Sequence, residues 1–254
     1  AYNFVGSISV HGSKKILVMY NCLVSENRAK NSAGGIQAMT CDNIIFIHCL
    51  FQANVAKGVG GALWLSIFNR LVLIKSYFYK NRAKVKGGAI QSEGLSNSKH
   101  SQTFIIQCQF IANLADRGSA FSVRDVDNIT ISKIKINLRL GENISSSLMI
   151  LESFQLNLYD IILGNVPKQR VLSDLMFSIG RFTNVIFPCE ESTYLHEETK
   201  IGDTSSSIRI LYQCTYCDSG KYIMHAGPWI LNKEISNVSN NRALYHCRQC
   251  AAHG

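Results

Sequence analysis

The stretch NRAKNSAGGI, residues 27–36, decides the fold because the chain repeats it. It returns as NVAKGVGGAL at residues 54–63, as NRAKVKGGAI at residues 81–90 and more loosely as NLADRGSAF at residues 113–121. The leading asparagines, Asn27, Asn54, Asn81 and Asn113, are therefore spaced by 27, 27 and 32 residues. A regular period of this length is typical of a solenoid, in which each repeat buries its apolar surface against its neighbours.

The segments that precede these asparagines predict strands. They read LVMYNCLV (17–24), IIFIHCLF (44–51), LVLIKSYF (71–78) and TFIIQCQF (103–110). All four are rich in β-branched and aromatic residues and lack helical spacing. Copies in register one period apart must lie side by side and parallel, about 4.8 Å apart. We therefore predict an all-β solenoid, a parallel β-helix with about 27 residues per coil.

Alternation along the strands predicts which side chains form the core. The set predicted to point inward comprises Val18, Ile45, Val72 and Phe104, then Tyr20, Ile47, Ile74 and Ile106, then Val24, Phe51, Phe78 and Phe110. Between them lies a column of small residues, Cys22, Cys49, Ser76 and Cys108, predicted to be buried and structural rather than redox-active. The outward set is unusually apolar and supplies our interface candidates, Leu17, Met19, Ile44, Phe46, Leu71, Leu73 and Ile105. We expect another segment of the chain, the C-terminal tail, or another protein or subunit to cover that stripe.

The repeated turn has a structural interpretation. Each leading Asn turns the chain and bonds its neighbours in adjacent coils, and the Gly pair adopts backbone angles that larger residues avoid. The alanine two residues after each Asn is predicted to pack in a narrow corner, at Ala29, Ala56, Ala83 and Ala115. The repeat therefore encodes architecture.

Two motifs carry a family resemblance. Phe51/Asn54, Phe78/Asn81 and Phe110/Asn113, with Gly-Gly-Ala-Leu at 60–63 and Gly-Gly-Ala-Ile at 87–90, resemble the F-x-x-N and G-G-A-I repeats of the polymorphic outer membrane protein family. The resemblance spans residues 7–125. It implies a right-handed parallel β-helix displayed outside the cell, commonly in adhesion or surface coating. Further alternating segments after residue 125 predict about three more coils, with a domain boundary at residue 188.

Cysteines crowd the remainder, residues 189–254, at Cys189, Cys214, Cys217, Cys247 and Cys250. The motif C-x-x-C-x-x-G-x-Y at residues 214–222 is similar to ephrin-receptor-like and growth-factor-receptor-like extracellular modules, which implies a small disulfide-rich module. Under that resemblance Cys189–Cys214 and Cys217–Cys247 are the expected pairs, and Cys250 would pair beyond Gly254, as in a fragment of a larger protein. The alternative is zinc held by the two C-x-x-C pairs. We predict no other metal and no cofactor.

Charge and sequons suggest partners and location. The net charge of +9 favours anionic partners, but the scattered Lys and Arg do not indicate nucleic acid. Six basic residues define a predicted anion-binding ridge, Arg28, Lys30, Lys57, Arg82, Lys84 and Lys86. Three sequons, at Asn128, Asn143 and Asn237, fit a secreted glycoprotein. No run approaches the roughly 20 apolar residues of a transmembrane helix.

A catalytic site is not evident in the repeats. Columns Asn21/His48/Lys75/Gln107 and Leu23/Leu50/Tyr77/Gln109 hold no carboxylate, and Asp125 with Asp127 is the nearest acidic pair. We therefore expect a non-enzymatic extracellular or cell-surface scaffold that contacts other extracellular proteins, copies of itself or anionic glycans. Two alternatives stay open. One is a polysaccharide lyase or hydrolase with its site after residue 125, and the other is a glycan-binding module that uses the ridge.

Overall fold

The computed structural model describes residues 6–94, 101–137, 147–164, 171–187, 193–201, 207–216, 221–223, 229–235 and 247–249. Within these ranges the regular structure is entirely β-strand. No helix in them is long and apolar enough to cross a membrane.

The strands fall into successive coils followed by a terminal group. The first three coils contain β1 (Ile8–Tyr20), β2 (Leu23–Ser25), β3 (Arg28–Ala29), β4 (Ile36–Ile47), β5 (Leu50–Gln52), β6 (Val55–Ala56), β7 (Leu63–Ile74), β8 (Tyr77–Tyr79) and β9 (Arg82–Ala83). The following coils contain β10 (Ile90–Glu93), β11 (Gln102–Ile106), β12 (Gln109–Ile111), β13 (Phe121–Asn137), β14 (Met149–Gly164), β15 (Val171–Phe177) and β16 (Ile179–Phe187). The terminal group contains β17 (Thr193–Ile201), β18 (Ile208–Tyr216), β19 (Lys221–Ile223), β20 (Trp229–Ile235) and β21 (Cys247–Gln249).

Equivalent strands of successive coils pair in parallel and in register. In β4 and β7, Ile44 lies opposite Leu71 and Phe46 opposite Leu73, one period apart. The parallel order continues through β13, β14 and the pair β15–β16. The predicted parallel β-solenoid, including its extension beyond residue 125, is confirmed.

The predicted facing of one strand segment is wrong. All seven interface candidates belong to the core side. Leu17 and Met19 pack against the core. The other five are 0% exposed, namely Ile44, Phe46, Leu71, Leu73 and Ile105. Val18 and Tyr20, predicted to point inward, are instead 56% and 60% exposed. The apolar stripe that we expected another segment, the C-terminal tail or another protein to cover is therefore the interior of the solenoid.

One left-handed residue, at the same turn of each coil, explains the reversal. Asn21, His48, Lys75 and Gln107 have φ angles of 52°, 53°, 47° and 55°, and each lies at the turn between one strand and the short strand that follows it in the same coil. The turn adds a residue to the alternation, so inward positions on either side of it are three residues apart, as in Phe46 and Cys49. Alternation carried straight through the turn matches the residues after it but inverts those before it.

After the turn the predicted core is confirmed. Phe51, Phe78 and Phe110 are buried and stacked, with ring centroids 4.8 Å and 4.9 Å apart and interplanar angles of 6° and 5°. Beside them Cys49, Ser76 and Cys108 are buried at equivalent positions, and their column ends at the half-buried Cys22. Burial raises the pKa of Cys108 to about 12, which keeps its thiol protonated and unreactive. These cysteines pack as small apolar residues.

The asparagines form a ladder along the solenoid axis. Asn81 donates from its backbone N–H and from Nδ2 to Oδ1 of Asn113, both at 3.0 Å, and its own Oδ1 accepts the same two bonds from Asn54. The Nδ2 of Asn81 also donates to the carbonyl of Phe51 at 2.8 Å. Asn27 forms the first step of the ladder by donating to Asn54. The predicted bonding between coils is confirmed, as is the burial of Ala29, Ala56, Ala83 and Ala115.

The two glycines of the pairs at 60–61 and 87–88 serve different purposes. Gly60 and Gly87 have φ angles of 67° and 64°, the left-handed region, as predicted. The second glycine is needed for space instead: a Cβ on Gly61 would overlap the carbonyl oxygen of Gly88 and the backbone of Arg82. Adjacent coils therefore approach too closely here for any side chain.

We expect Gly61→Ala to lower the free energy of unfolding by about 2 to 3 kcal/mol, because a rigid backbone must shift to admit the methyl group. Ala33→Gly is the control: Ala33 has a φ of 56°, and relief of that angle offsets the loss of a buried methyl, so the change should stay under about 1 kcal/mol. Urea unfolding followed by circular dichroism measures both. Equal stability of wild type and Gly61→Ala would contradict the close approach.

The terminal group covers the last coil with antiparallel strands. β18 pairs with β15 and with β17, and β20 pairs with β16. Arg209 bonds Asp174 through two nitrogens at 2.9 Å and 2.7 Å, and Lys233 bonds the buried Glu197 at 2.6 Å. The strands of the terminal group run antiparallel to those of the last coil. They therefore end the parallel stacking, because a further coil would need parallel strands to pair with. The division of the chain at residue 188, between β16 and β17, stays a prediction.

Candidate functional site

The predicted ridge lies along the short sheet formed by β3, β6 and β9. In that sheet Ala29, Ala56 and Ala83 are paired in register, and each is followed by an exposed lysine, Lys30, Lys57 or Lys84. Arg28 and Arg82 are also exposed, and both pair with Val55, which stands between them. These five residues therefore share one edge of the solenoid. Anion binding by this edge stays a prediction.

Lys86 differs from the other ridge residues because it is half-buried. Its backbone bridges those of Val59 and Arg117 in the neighbouring coils. Burial lowers the pKa of Lys86, and the positive charges of Arg124 and Arg117 lower it further. Lys86 thus lies in a mixed group of charges, with Arg117, Arg124, Glu93 and Glu152 nearby, rather than in the exposed lysine column.

A second basic surface follows the left-handed turns, and we call it the corner groove. Its floor is formed by turn residues of successive coils, His48, Lys75, Gln107, Lys133, Asp160 and Asn184. One wall is formed by residues two positions further along each coil, Tyr77, Gln109, Lys135 and Ile162. The groove has a volume of about 720 Å³.

The backbone of the fold produces this groove. Every floor residue has a positive φ angle, between 47° and 55°, so each coil bends sharply at the same point. The wall residues are paired in register, Tyr77 with Gln109, Gln109 with Lys135, and Lys135 with Ile162. Because bends and strands stack coil on coil, the concave corner runs parallel to the solenoid axis.

The charges in the groove are unevenly distributed. Lys75, Lys133 and Lys135 are exposed, and none forms an ion pair with another residue in the described ranges. The carboxylate of the groove, Asp160, accepts a hydrogen bond from Nδ2 of Asn184 at 2.9 Å, toward the last coil. The middle of the groove is consequently cationic.

Four carboxylates after residue 125 form ion pairs in the described ranges, those of Glu152, Asp174, Glu197 and Glu234. Burial raises the pKa of Glu152, the nearby Asp125 carboxylate raises it further, and Arg124 lies 4.0 Å from it. Asp127 donates its backbone N–H to Ser101. Within the described ranges no group of His, Cys, Asp and Glu could hold a metal ion. A polysaccharide-active site in these coils stays an alternative prediction.

Several predicted modification sites fall where the structure gives little or no description. Asn143, Asn237, Cys189, Cys217 and Cys250 lie outside the described residues. For Cys214 and Cys247 the backbone is described, in β18 and β21. Asn128 lies in β13, half-buried, and its Nδ2 donates to Gln155 at 3.4 Å. The disulfide, zinc and glycosylation assignments stay predictions.

The sequence analysis did not predict the corner groove. Its residues can be aligned in one column only when the position of the turn in each coil is known. The column Asn21/His48/Lys75/Gln107 is visible in the repeat, but its continuation to Lys133 and Asp160 lies where the motif decays. A polar residue that recurs immediately before the small core column is the signal that could have located the turn. Asn and Asp tolerate left-handed angles better than most residues, which fits Asn21, Asp160 and Asn184.

Comparisons with known proteins identify one repeat. Neither the curated proteins nor the solved structures contain a significant match to this chain. Residues 75–93 match the model of the Chlamydia polymorphic membrane protein repeat. The segment contains Phe78, Asn81 and the Gly-Gly-Ala-Ile turn. This coil of the solenoid is therefore similar to the Chlamydia polymorphic membrane protein repeat, which confirms the resemblance for the repeat itself.

Proposed function

We propose that this protein is a rigid scaffold displayed at a cell surface, where its outer side chains contact other molecules. The observation that supports this proposal is that the residues of the repeated motif lie inside the solenoid. Phe78, Asn81 and Gly88 are buried and make contacts between coils, so the repeated residues build the rod and the outward positions are free to vary. A solenoid of this kind presents long, fixed surfaces.

The similarity to a polymorphic membrane protein repeat agrees with an adhesin-like scaffold at the cell surface. The finer assignments, contact with extracellular proteins, with further copies of this chain or with anionic glycans, follow from the charge and the exposed outer faces. Disulfides in residues 189–254 and glycans at the three sequons are part of the same proposal.

The location can be tested on cells that produce the protein. We expect a protease that cannot enter intact cells to remove the protein, whereas an internal control protein survives. Non-reducing peptide mapping of native protein should find pairing among Cys189, Cys214, Cys217, Cys247 and Cys250, with glycans at Asn128, Asn143 or Asn237. Full protection from the protease, with free thiols and unmodified asparagines, would show that the protein is not displayed at the surface.

The same protein preparation tests the enzymatic alternative. Incubation with calcium and an acidic polysaccharide should leave the polymer length unchanged. Cleavage that is lost in Glu152→Gln would replace the scaffold proposal with a polysaccharide-active enzyme.

A further inference from the structure

We propose that the corner groove binds a linear sulfated glycan that lies along the solenoid axis. This inference rests on the proposed function as a surface scaffold and names a ligand for one of its surfaces. The floor residues from His48 to Asn184 are five coil steps apart, which corresponds to roughly 24 Å at the spacing of neighbouring strands. A ligand that fills the groove is therefore elongated.

The cations select a polymer with a repeating negative charge. Lys75 and Lys133 occupy equivalent turns two coils apart, or about 10 Å at the strand spacing. Lys135 adds a third charge on the wall beside Lys133. The strands beside all three lysines are paired between coils, so the points from which these side chains extend are fixed before any ligand arrives. Charges along a linear polyanion can meet them together.

The cations of the groove suit a sulfate ester. The three basic side chains in its middle are lysines, which bind an anion as point charges and impose no fixed two-pronged geometry on it. Within the described ranges no arginine lines the groove. A sulfate ester, with its charge spread over several oxygens, can be met by an ammonium group from many directions.

The remaining side chains suit a sugar better than a peptide. Extended peptides bind sheets chiefly through main-chain hydrogen bonds. Along the floor these groups are already used between coils, as in His48 N–H to Ile74, Lys75 N–H to Ile106 and Gln107 N–H to Ser132. The groove offers side-chain amides instead, from Gln107 and Gln109, which can bond hydroxyl groups.

Two wall residues supply apolar surface for the faces of sugar rings. Tyr77 is 42% exposed and Ile162 is 45% exposed, on either side of Gln109 and Lys135 along the wall. The groove thus combines a concave shape with cations, amides and apolar side chains, whereas the ridge was identified by its basic residues alone. We therefore place the glycan in the groove.

A charge-matched comparison tests this assignment. The triple variant Lys75→Gln/Lys133→Gln/Lys135→Gln removes three charges from the groove, and Lys30→Gln/Lys57→Gln/Lys84→Gln removes three from the ridge. Binding of size-defined dextran sulfate to the full chain is measured by calorimetry, with unsulfated dextran of the same length as the ligand control. We expect roughly tenfold weaker binding for the groove variant, a smaller change for the ridge variant, and no binding of dextran. All six lysines are exposed, so thermal unfolding should be unchanged.

Several outcomes would overturn the assignment. Unchanged affinity of the groove variant would rule out the groove as the site, and a larger loss in the ridge variant would move the anion site to the ridge. Tighter binding of polygalacturonate or of polyglutamate than of dextran sulfate would identify a carboxylated glycan or an acidic peptide as the ligand class. Absence of binding to dextran sulfate would remove the site, while removal of the protein from intact cells by protease would leave the scaffold proposal in place.

Discussion

Replacing Asn81 with alanine is expected to lower the free energy of unfolding by about 4 kcal/mol, because the change removes a central step of a buried ladder. Asn81 is fully buried. Its Oδ1 accepts from the backbone N–H and Nδ2 of Asn54, and its Nδ2 donates to Asn113 and to the Phe51 carbonyl. Alanine leaves these partners without their bonds in a region that water does not reach, at about 1 to 3 kcal/mol for each unsatisfied group.

The end of the ladder provides a matched control for Asn81→Ala. Asn27 is half-buried and, within the described ladder, donates to Asn54 while accepting from no earlier asparagine. Asn27→Ala should therefore lower the free energy of unfolding by about 1 kcal/mol. Both variants can be measured by urea unfolding with circular dichroism. Equal losses at the two positions would mean that the ladder does not contribute as a chain of linked bonds.

The second large effect is expected for Phe78→Ala, which should lower the free energy of unfolding by about 3 to 5 kcal/mol. Phe78 is the middle ring of the stack, 4.8 Å from Phe51 and 4.9 Å from Phe110. Its removal opens a cavity between coils whose spacing is set by backbone hydrogen bonds, so the neighbours cannot close the gap. Lost transfer energy and the remaining cavity therefore add.

A large side chain on the same strand that is not buried provides the control for Phe78→Ala. Tyr77 precedes Phe78 in β8 and faces outward, 42% exposed. Tyr77→Ala should change the free energy of unfolding by less than about 1 kcal/mol, because surface side chains contribute little to folding. Heat or urea unfolding of both variants gives the comparison. A small effect of Phe78→Ala would show that the coils can repack around the missing ring.

Much of this fold was predictable because a parallel solenoid repeats its environment once per period. Asn54 and Asn81 stand one period apart in the sequence and one strand spacing apart in space, so a column in the aligned repeats is a contact in the molecule. The phenylalanine stack, the asparagine ladder and the glycine turns could therefore be found without coordinates. The equal spacing of the repeats, more than the type of residue, therefore predicts which side chains contact each other.

The facing of residues before each turn could not be predicted in the same way. Met19 and Tyr20 are both apolar, and so are Phe46 and Ile47, hence hydrophobicity does not distinguish the inner from the outer side of that sheet. The decision depends on the φ angle of one residue, at positions as different as Asn21, His48 and Lys75. Such an angle is imposed by the coils on either side, and no residue type demands it.

The sequence by itself thus determined the period, the parallel stacking and the residues that join one coil to the next, because those contacts recur at a constant offset. The tertiary structure alone decided which apolar stripe forms the interior, where the corner groove runs, and how antiparallel strands end the stack. Each of these features depends on backbone bends or on pairing between unrelated segments, such as β16 with β20. The bends recur with the period but at residues of no common type, and the antiparallel pairs have no fixed sequence separation, so neither feature could be recognised from the repeated residues.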